Sequence, residues 1–169
     1  MGVAGCGKSS LGAALADAEH LPLIEGDDHH STASREKMSQ GIALTDADRQ
    51  GWLQTLGRLL AEHPEGVVLT CSALKKAYRD QLRQACPGLR FAFLDIDREQ
   101  SLKRVSARAS HFFSSSLVDS QFATLESPVG EAGVLRLDAL QALPALQHQA
   151  SAWLNDGAAQ IAPNPKDCT

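Results

Sequence analysis

The sequence predicts an α/β domain in which a parallel sheet is covered by helices on both faces. Three observations predict it. Residues 2–9, Gly-Val-Ala-Gly-Cys-Gly-Lys-Ser, fill every fixed position of the phosphate-binding pattern G-x-x-x-x-G-K-[ST]. Short apolar runs alternate along the chain with stretches of helical periodicity, the order expected of strands joined by crossover helices. Polar and charged residues gather where those runs end, the edge at which parallel sheets bind ligands.

The elements follow in order. Leu11, Ala14, Leu15 and Ala18 recur at helical spacing, so a helix opens at Lys8. Leu21-Pro22-Leu23-Ile24 reads as a buried strand that delivers Asp27 at its tip. Thr45 to Asp48 forms a T-x-x-D capping box, and Trp52, Leu53, Leu56, Leu59 and Leu60 mark one face of the helix behind it, closed by His63-Pro64. Residues 66–71 read as a strand, Leu74 to Leu82 as a helix ended by Pro87-Gly88, and residues 89–95 as a further strand. Asp97, with Gln100 three residues on, caps a helix through Arg108. Residues 110–116 read as a loop, 117–125 as a helix, 134–138 as the last strand, and Ala139 toward Trp153 as the closing helix before a frayed Pro163-Asn164-Pro165 tail.

A phosphate loop is expected to hang from a buried apolar strand, yet only Met1 stands before Gly2. A stable protein without that strand would carry unpaired sheet edges and an open core. The expectation is therefore a start that lies upstream of Met1.

Bulk composition bounds the function. With 169 residues, 43% hydrophobic and 21% charged, the chain fits a single domain over residues 1–169. A net charge of −4 argues against a broad nucleic-acid surface. No apolar run approaches the roughly 20 residues that span a bilayer, and no secretory leader is evident, so the cytoplasm is the expected compartment. The four cysteines form no C-x-x-C pair. They read as reduced thiols, with Cys6 either a small tolerated residue or, beside Lys8 at a helix start, a reactive one.

In the loop, the backbone of Gly2, Val3, Ala4, Gly5, Cys6 and Gly7 would turn its N–H groups toward anionic oxygens. Lys8 would reach the β- and γ-phosphates, and the Ser9 hydroxyl would ligate Mg²⁺. The strand over 66–71 ends without a carboxylate, so the acid nearest a transferring phosphate is Asp27. A small-molecule kinase needs such a group to orient or deprotonate the accepting hydroxyl; a turn residue or helix cap is the plainer reading. His29-His30 lacks a third ligand at metal-binding spacing. Arg104 and Arg108 lie at i, i+4, where they repel unless an anion joins them or both are simply solvated.

Four separated blocks resemble the gluconokinase family. They are Glu25-Gly26-Asp27…His30…Lys37-Met38…Gly41-Ile42…Leu44…Asp46…Asp48-Arg49…Trp52-Leu53, then Cys71-Ser72-Ala73-Leu74-Lys75-Lys76…Tyr78-Arg79-Asp80, then His111-Phe112, then Ser120-Gln121-Phe122…Leu125-Glu126. The resemblance implies a nucleoside-monophosphate-kinase-like P-loop fold with a five-stranded parallel sheet and a mobile lid near residues 104–127. It implies ATP-dependent phosphorylation of D-gluconate at its 6-hydroxyl, with Mg²⁺, by enzymes that are often homodimers. Carried over, Asp27, His30, Arg49, Arg79, His111 and Gln121 surround the gluconate, with Arg49 and Arg79 the natural partners of its carboxylate. Lys8, Asp27, Arg104 and Arg108 would serve the transfer itself. The chain departs from the family at Ala4, Cys6, Ser31, Ser34, Ala43, Gly51, Ser110 and Phe113-Ser114, none of them a predicted charged contact. A kinase for a related sugar acid, or a catalytically silent nucleotide-binding protein, is the alternative.

Overall fold

The structure is a computed structural model and describes residues 1–107 and 115–159. In chain order, α1 (Lys8–Glu19) follows the loop, β1 (Leu23–Glu25) leads into a single 3-10 turn (Gly26–His29), and α2 (Thr32–Ser39) and α3 (Asp46–Ala61) follow. Then come β2 (Val68–Thr70), α4 (Lys76–Ala85), β3 (Phe91–Asp95), α5 (Arg98–Ser106), α6 (Ser115–Thr124), β4 (Val134–Asp138) and α7 (Leu143–Ala159).

Among the described residues all strand pairing is parallel, in two separate halves. β1 pairs with β2, Ile24 opposite Leu69, and β3 pairs with β4, Phe93 opposite Arg136. The single continuous sheet expected from the sequence is thus divided among the described residues. Between β2 and β3 runs a cleft of about 610 Å³, and Met1 reaches into its end. The Met1 ammonium donates to Ala92 O at 2.7 Å, Leu94 N donates to Met1 O at 3.0 Å, and Gly2 N donates to Ser72 O at 3.2 Å.

Successive strand residues point to opposite faces, and the core follows that alternation. Val68, Ala92 and Leu94 join Leu11, Leu15, Leu146 and Ala150 in a cluster under α1 and α7. Leu69 and Phe91 join Trp52, Leu56, Leu60 and Leu82 under α3 and α4. Each fully buried leucine stabilises the fold by about 1.5–3 kcal/mol. The strand expected to be buried at 21–24 is instead an outer strand, with Leu23 36% exposed, because β2 is its only strand neighbour among the described residues.

Local signals explain the element ends. The capping box is complete: Thr45 Oγ1 accepts from Asp48 N, and Asp48 Oδ2 accepts from Thr45 N at 2.9 Å. Asp97 Oδ1 accepts from Gln100 N at 2.8 Å and starts α5. That helix ends at Ser106, short of Arg108.

Candidate active site

The phosphate loop closes under α5. Gly5 has φ +73°, and a Cβ there would lie 2.8 Å from Ser101 O, so only glycine fits. Ser101 Oγ donates to Ala4 O at 2.8 Å and ties the loop to the helix. Val3 and Cys6 turn their side chains into the core at 2% and 1% exposure, leaving backbone to face the ligand. Burial of Cys6 agrees with its plainer reading as a small tolerated residue. Gly7, left-handed, is the N-cap of α1, makes no side-chain cap, and the first turn holds no acid. The free N–H groups and positive end of α1 therefore suit an anion.

A cavity of about 280 Å³ opens beside the loop, and Lys8, Ser9, Asp27, His30, Arg49 and Gln121 all line it. Lys8 Nζ donates to Val3 O at 3.1 Å. Ser9 Oγ donates to Glu25 Oε2 at 3.1 Å, and Thr70 Oγ1 donates to the same oxygen. Gln121 Oε1 accepts from Ala4 N at 2.7 Å. Arg49 donates to Leu44 O and lies 5.8 Å from the Tyr78 ring centroid.

The 3-10 turn after β1 presents the acid. Gly26 presses so closely on β2 that a Cβ would lie 2.3 Å from Thr70 O. Trp52 Nε1 donates to Gly26 O at 2.7 Å, and the indole stacks on His30 at 4.3 Å and 14°. Asp27 is exposed to the cavity, 3.9 Å from His30 Nε2. Burial holds the His30 imidazole below its ordinary pKa, so the ring is neutral at pH 7. Among the described residues its buried Nδ1 has no hydrogen-bond partner, an atom suited to a ligand hydroxyl. Around this turn, Lys37 binds Asp48 at 2.7 Å and, with the Thr45 cap, lowers that carboxyl to about 2.

Arg79 is not brought to this cavity, which corrects its reading as a carboxylate ligand. Its side chain is fully enclosed, and its guanidinium is spent on Glu131 and on the carbonyls of Ala73 and Leu74. Truncating one member of a buried pair typically costs about 3–5 kcal/mol. Arg79→Met is therefore expected to lower unfolding stability by about that amount in urea titrations, while the KM for the acid substrate stays near wild type. Bonding to Arg79 depresses the Glu131 pKa. The pair's stabilisation is thus complete above pH 4.5 and is lost as pH falls through the lower folded value. The gap between wild type and variant should narrow over that acid range.

Arg104 also faces elsewhere. It donates to Ala139 O at 2.9 Å and to Gly5 O at 3.4 Å, and lines a neighbouring cavity of about 390 Å³ with Gly7, Ser10 and Gln141. Arg108 and His111 lie outside the described residues, as does most of the 110–116 segment. Two residues escaped functional assignment from sequence, Glu25 and Trp52. Their signal was position, one at a strand end beside Gly26 and the other one helical turn from Arg49.

A lysine and a hydroxyl at a phosphate loop, opening on one cavity with a strand-end aspartate, define a P-loop kinase for a small acceptor. The comparisons make the class narrower. The shikimate kinase family model matches residues 4–122. A probable gluconokinase of Schizosaccharomyces pombe is 44% identical over 140 residues, covering 78% of this chain and 72% of that one. The thermosensitive gluconokinase of Escherichia coli K12 is 42% identical, covering 82% and 76%. A solved gluconokinase from Sinorhizobium meliloti 1021 superposes with a TM-score of 0.88 at 45% identity, covering 95% and 92%. The chain belongs to the gluconokinase family.

Proposed function

We propose that the protein transfers the γ-phosphoryl group of ATP to the 6-hydroxyl of D-gluconate, giving 6-phospho-D-gluconate and ADP. The observation that carries this reading is the convergence of Lys8, Asp27 and Arg49 on one cavity. The loop amides and Lys8 hold the phosphate chain. Asp27 takes a hydrogen bond from the accepting hydroxyl, aims its oxygen at the phosphorus and receives its proton as the new P–O bond forms. Arg49 supplies a planar fork for the sugar-acid carboxylate, and His30 offers its neutral ring to a hydroxyl. Apolar Met38, Leu44 and Leu117 narrow the space around the acceptor.

The donors present fit Mg²⁺, a cation that prefers oxygen ligands and keeps waters and substrate phosphates in its shell. Ser9 would bind it directly, with Glu25 fixing the Ser9 hydroxyl; when bound, the ion neutralises charge on the β- and γ-oxygens. Gluconate itself, cytoplasmic residence and a homodimer extend the reading. Among the described residues, no helix is long and apolar enough to cross a membrane.

The purified chain should be assayed for ADP release with ATP, Mg²⁺ and a panel of gluconate, other aldonates, shikimate and neutral sugars. Gluconate is expected to give the highest kcat/KM. In the same assay Arg49→Met should raise the KM for gluconate at least about tenfold, as loss of a charge-assisted fork predicts, with kcat less affected. A neutral sugar outperforming gluconate would overturn the carboxylate assignment. Absence of turnover in a cooperatively folded protein would favour the silent nucleotide-binding alternative.

A further inference from the structure

Asp46 and Lys75 line neither the phosphate loop nor the cavity, yet they meet beside the guanidinium that does. Asp46 opens α3, and Arg49 follows it at i+3, the spacing at which two helix side chains come together. An aspartate so placed is the natural partner of the arginine. It does not take that partner. Among the described residues Arg49 makes no ion pair; it donates to Leu44 O, and its Cζ lies 5.8 Å from the Tyr78 ring centroid.

The groups that divert Asp46 belong to the start of α4. Lys75, the N-cap of that helix, donates from Nζ to both carboxylate oxygens of Asp46 at 2.8 Å. The Tyr78 hydroxyl donates to Asp46 Oδ1. Tyr78 and Leu82 of α4 pack with Trp52 and Leu56 of α3 in one buried cluster, so core packing sets where Lys75 meets Asp46. Bonding to Lys75, then to Tyr78, lowers the Asp46 pKa, which keeps the group an anion at neutral pH. Asp46 itself is exposed, and an ion pair so placed adds little to stability. What the pair does change is the surroundings of Arg49. With the Asp46 charge committed to Lys75, the guanidinium fork stays open to an anion from the cavity.

We infer that Lys75 is a positioning residue for acceptor selectivity, holding Asp46 away from Arg49 so that Arg49 is free for the carboxylate of the sugar acid. The inference rests on the reading of Arg49 under Proposed function and adds the device that keeps it unpaired. Without Lys75, Asp46 turns to Arg49 and competes with the substrate for the same fork.

The test measures binding of D-gluconate and of D-gluconamide, its neutral amide, by calorimetry with a non-hydrolysable ATP analogue and Mg²⁺. The ratio of the two dissociation constants reports the preference for the charged acceptor. Lys75→Met is expected to cut that preference about three- to fivefold, the scale of one partly exposed ion pair. Adding Asp46→Ala to Lys75→Met should restore it, because the competitor is gone. Lys76→Met removes an equal charge from the neighbouring residue, whose amine is bonded to Asp80, and should leave the preference as in wild type. These side chains are exposed or half-buried, so Tm should stay near wild type throughout. Arg49→Met tests the underlying reading separately. If wild type shows no preference, or Arg49→Met retains it, the carboxylate reading fails and the inference falls with it. If Arg49→Met loses the preference while Lys75→Met keeps it, the inference alone is overturned. Failure of Asp46→Ala to restore it, or an equal loss in Lys76→Met, would also overturn the inference.

Discussion

Replacing Lys8 by alanine is expected to lower kcat for gluconate phosphorylation by about 10²- to 10³-fold or more, the usual cost of deleting one preorganised donor at developing charge. The reasoning starts at the loop. Gly7 ends it in a left-handed cap, so the next residue leaves the first turn of α1 toward the cavity. The amine donates to Val3 O, a bond made within its own loop. Little of the fold should depend on it, and Tm should move by no more than a degree or two. ATP binding and kcat, measured by calorimetry and steady-state ADP release, separate positioning from transition-state stabilisation. Near-wild-type kcat would show that another cation serves the transferring group. Arg104, now bonded to Ala139 O and Gly5 O, is one such cation beside the loop.

What the sequence made legible was mostly local. The Thr45–Asp48 box, the Asp97 cap and the apolar face of α3 arise from contacts within one or two turns, so spacing alone reveals them. The helix α2 escaped because it has no apolar face: among its residues only Ser34 is buried. Its start is instead set by Ser31, whose hydroxyl accepts from Ser34 N at 3.1 Å. Ser31 was read from sequence only as a departure from a family proline. As an N-cap, that residue has a use of its own.

Long-range pairing accounts for the rest. Arg79 matches a family motif, but its partner Glu131 lies in a distant loop, and nothing in either segment announces that the two will be buried together. Glu25 sits in the quoted Glu25-Gly26-Asp27 motif, yet its bond to Ser9 follows only once β1 stands beside the loop.

The acid at the end of β1 carries the second large effect. Asp27→Asn is expected to lower kcat by about 10²- to 10⁴-fold, the range for losing a positioned general base. Gluconate affinity and Tm should change little, because the amide keeps the size of the carboxylate and Asp27 is exposed rather than packed. Its position is imposed from behind. Gly26 is wedged against Thr70 O, and its carbonyl is held by the Trp52 indole, which also stacks on His30. Trp52→Phe should therefore act in the same direction but more weakly, retaining the stack while releasing Gly26 O, with a several-fold loss of kcat. That ordering distinguishes a catalytic carboxylate from a turn residue. If Asp27 only shaped the turn, the asparagine variant would be nearly silent, since asparagine suits turns as well as aspartate does. In that case Trp52→Phe would be the more damaging change. Single-turnover rates for the two variants, measured with saturating ATP and gluconate, decide between these outcomes.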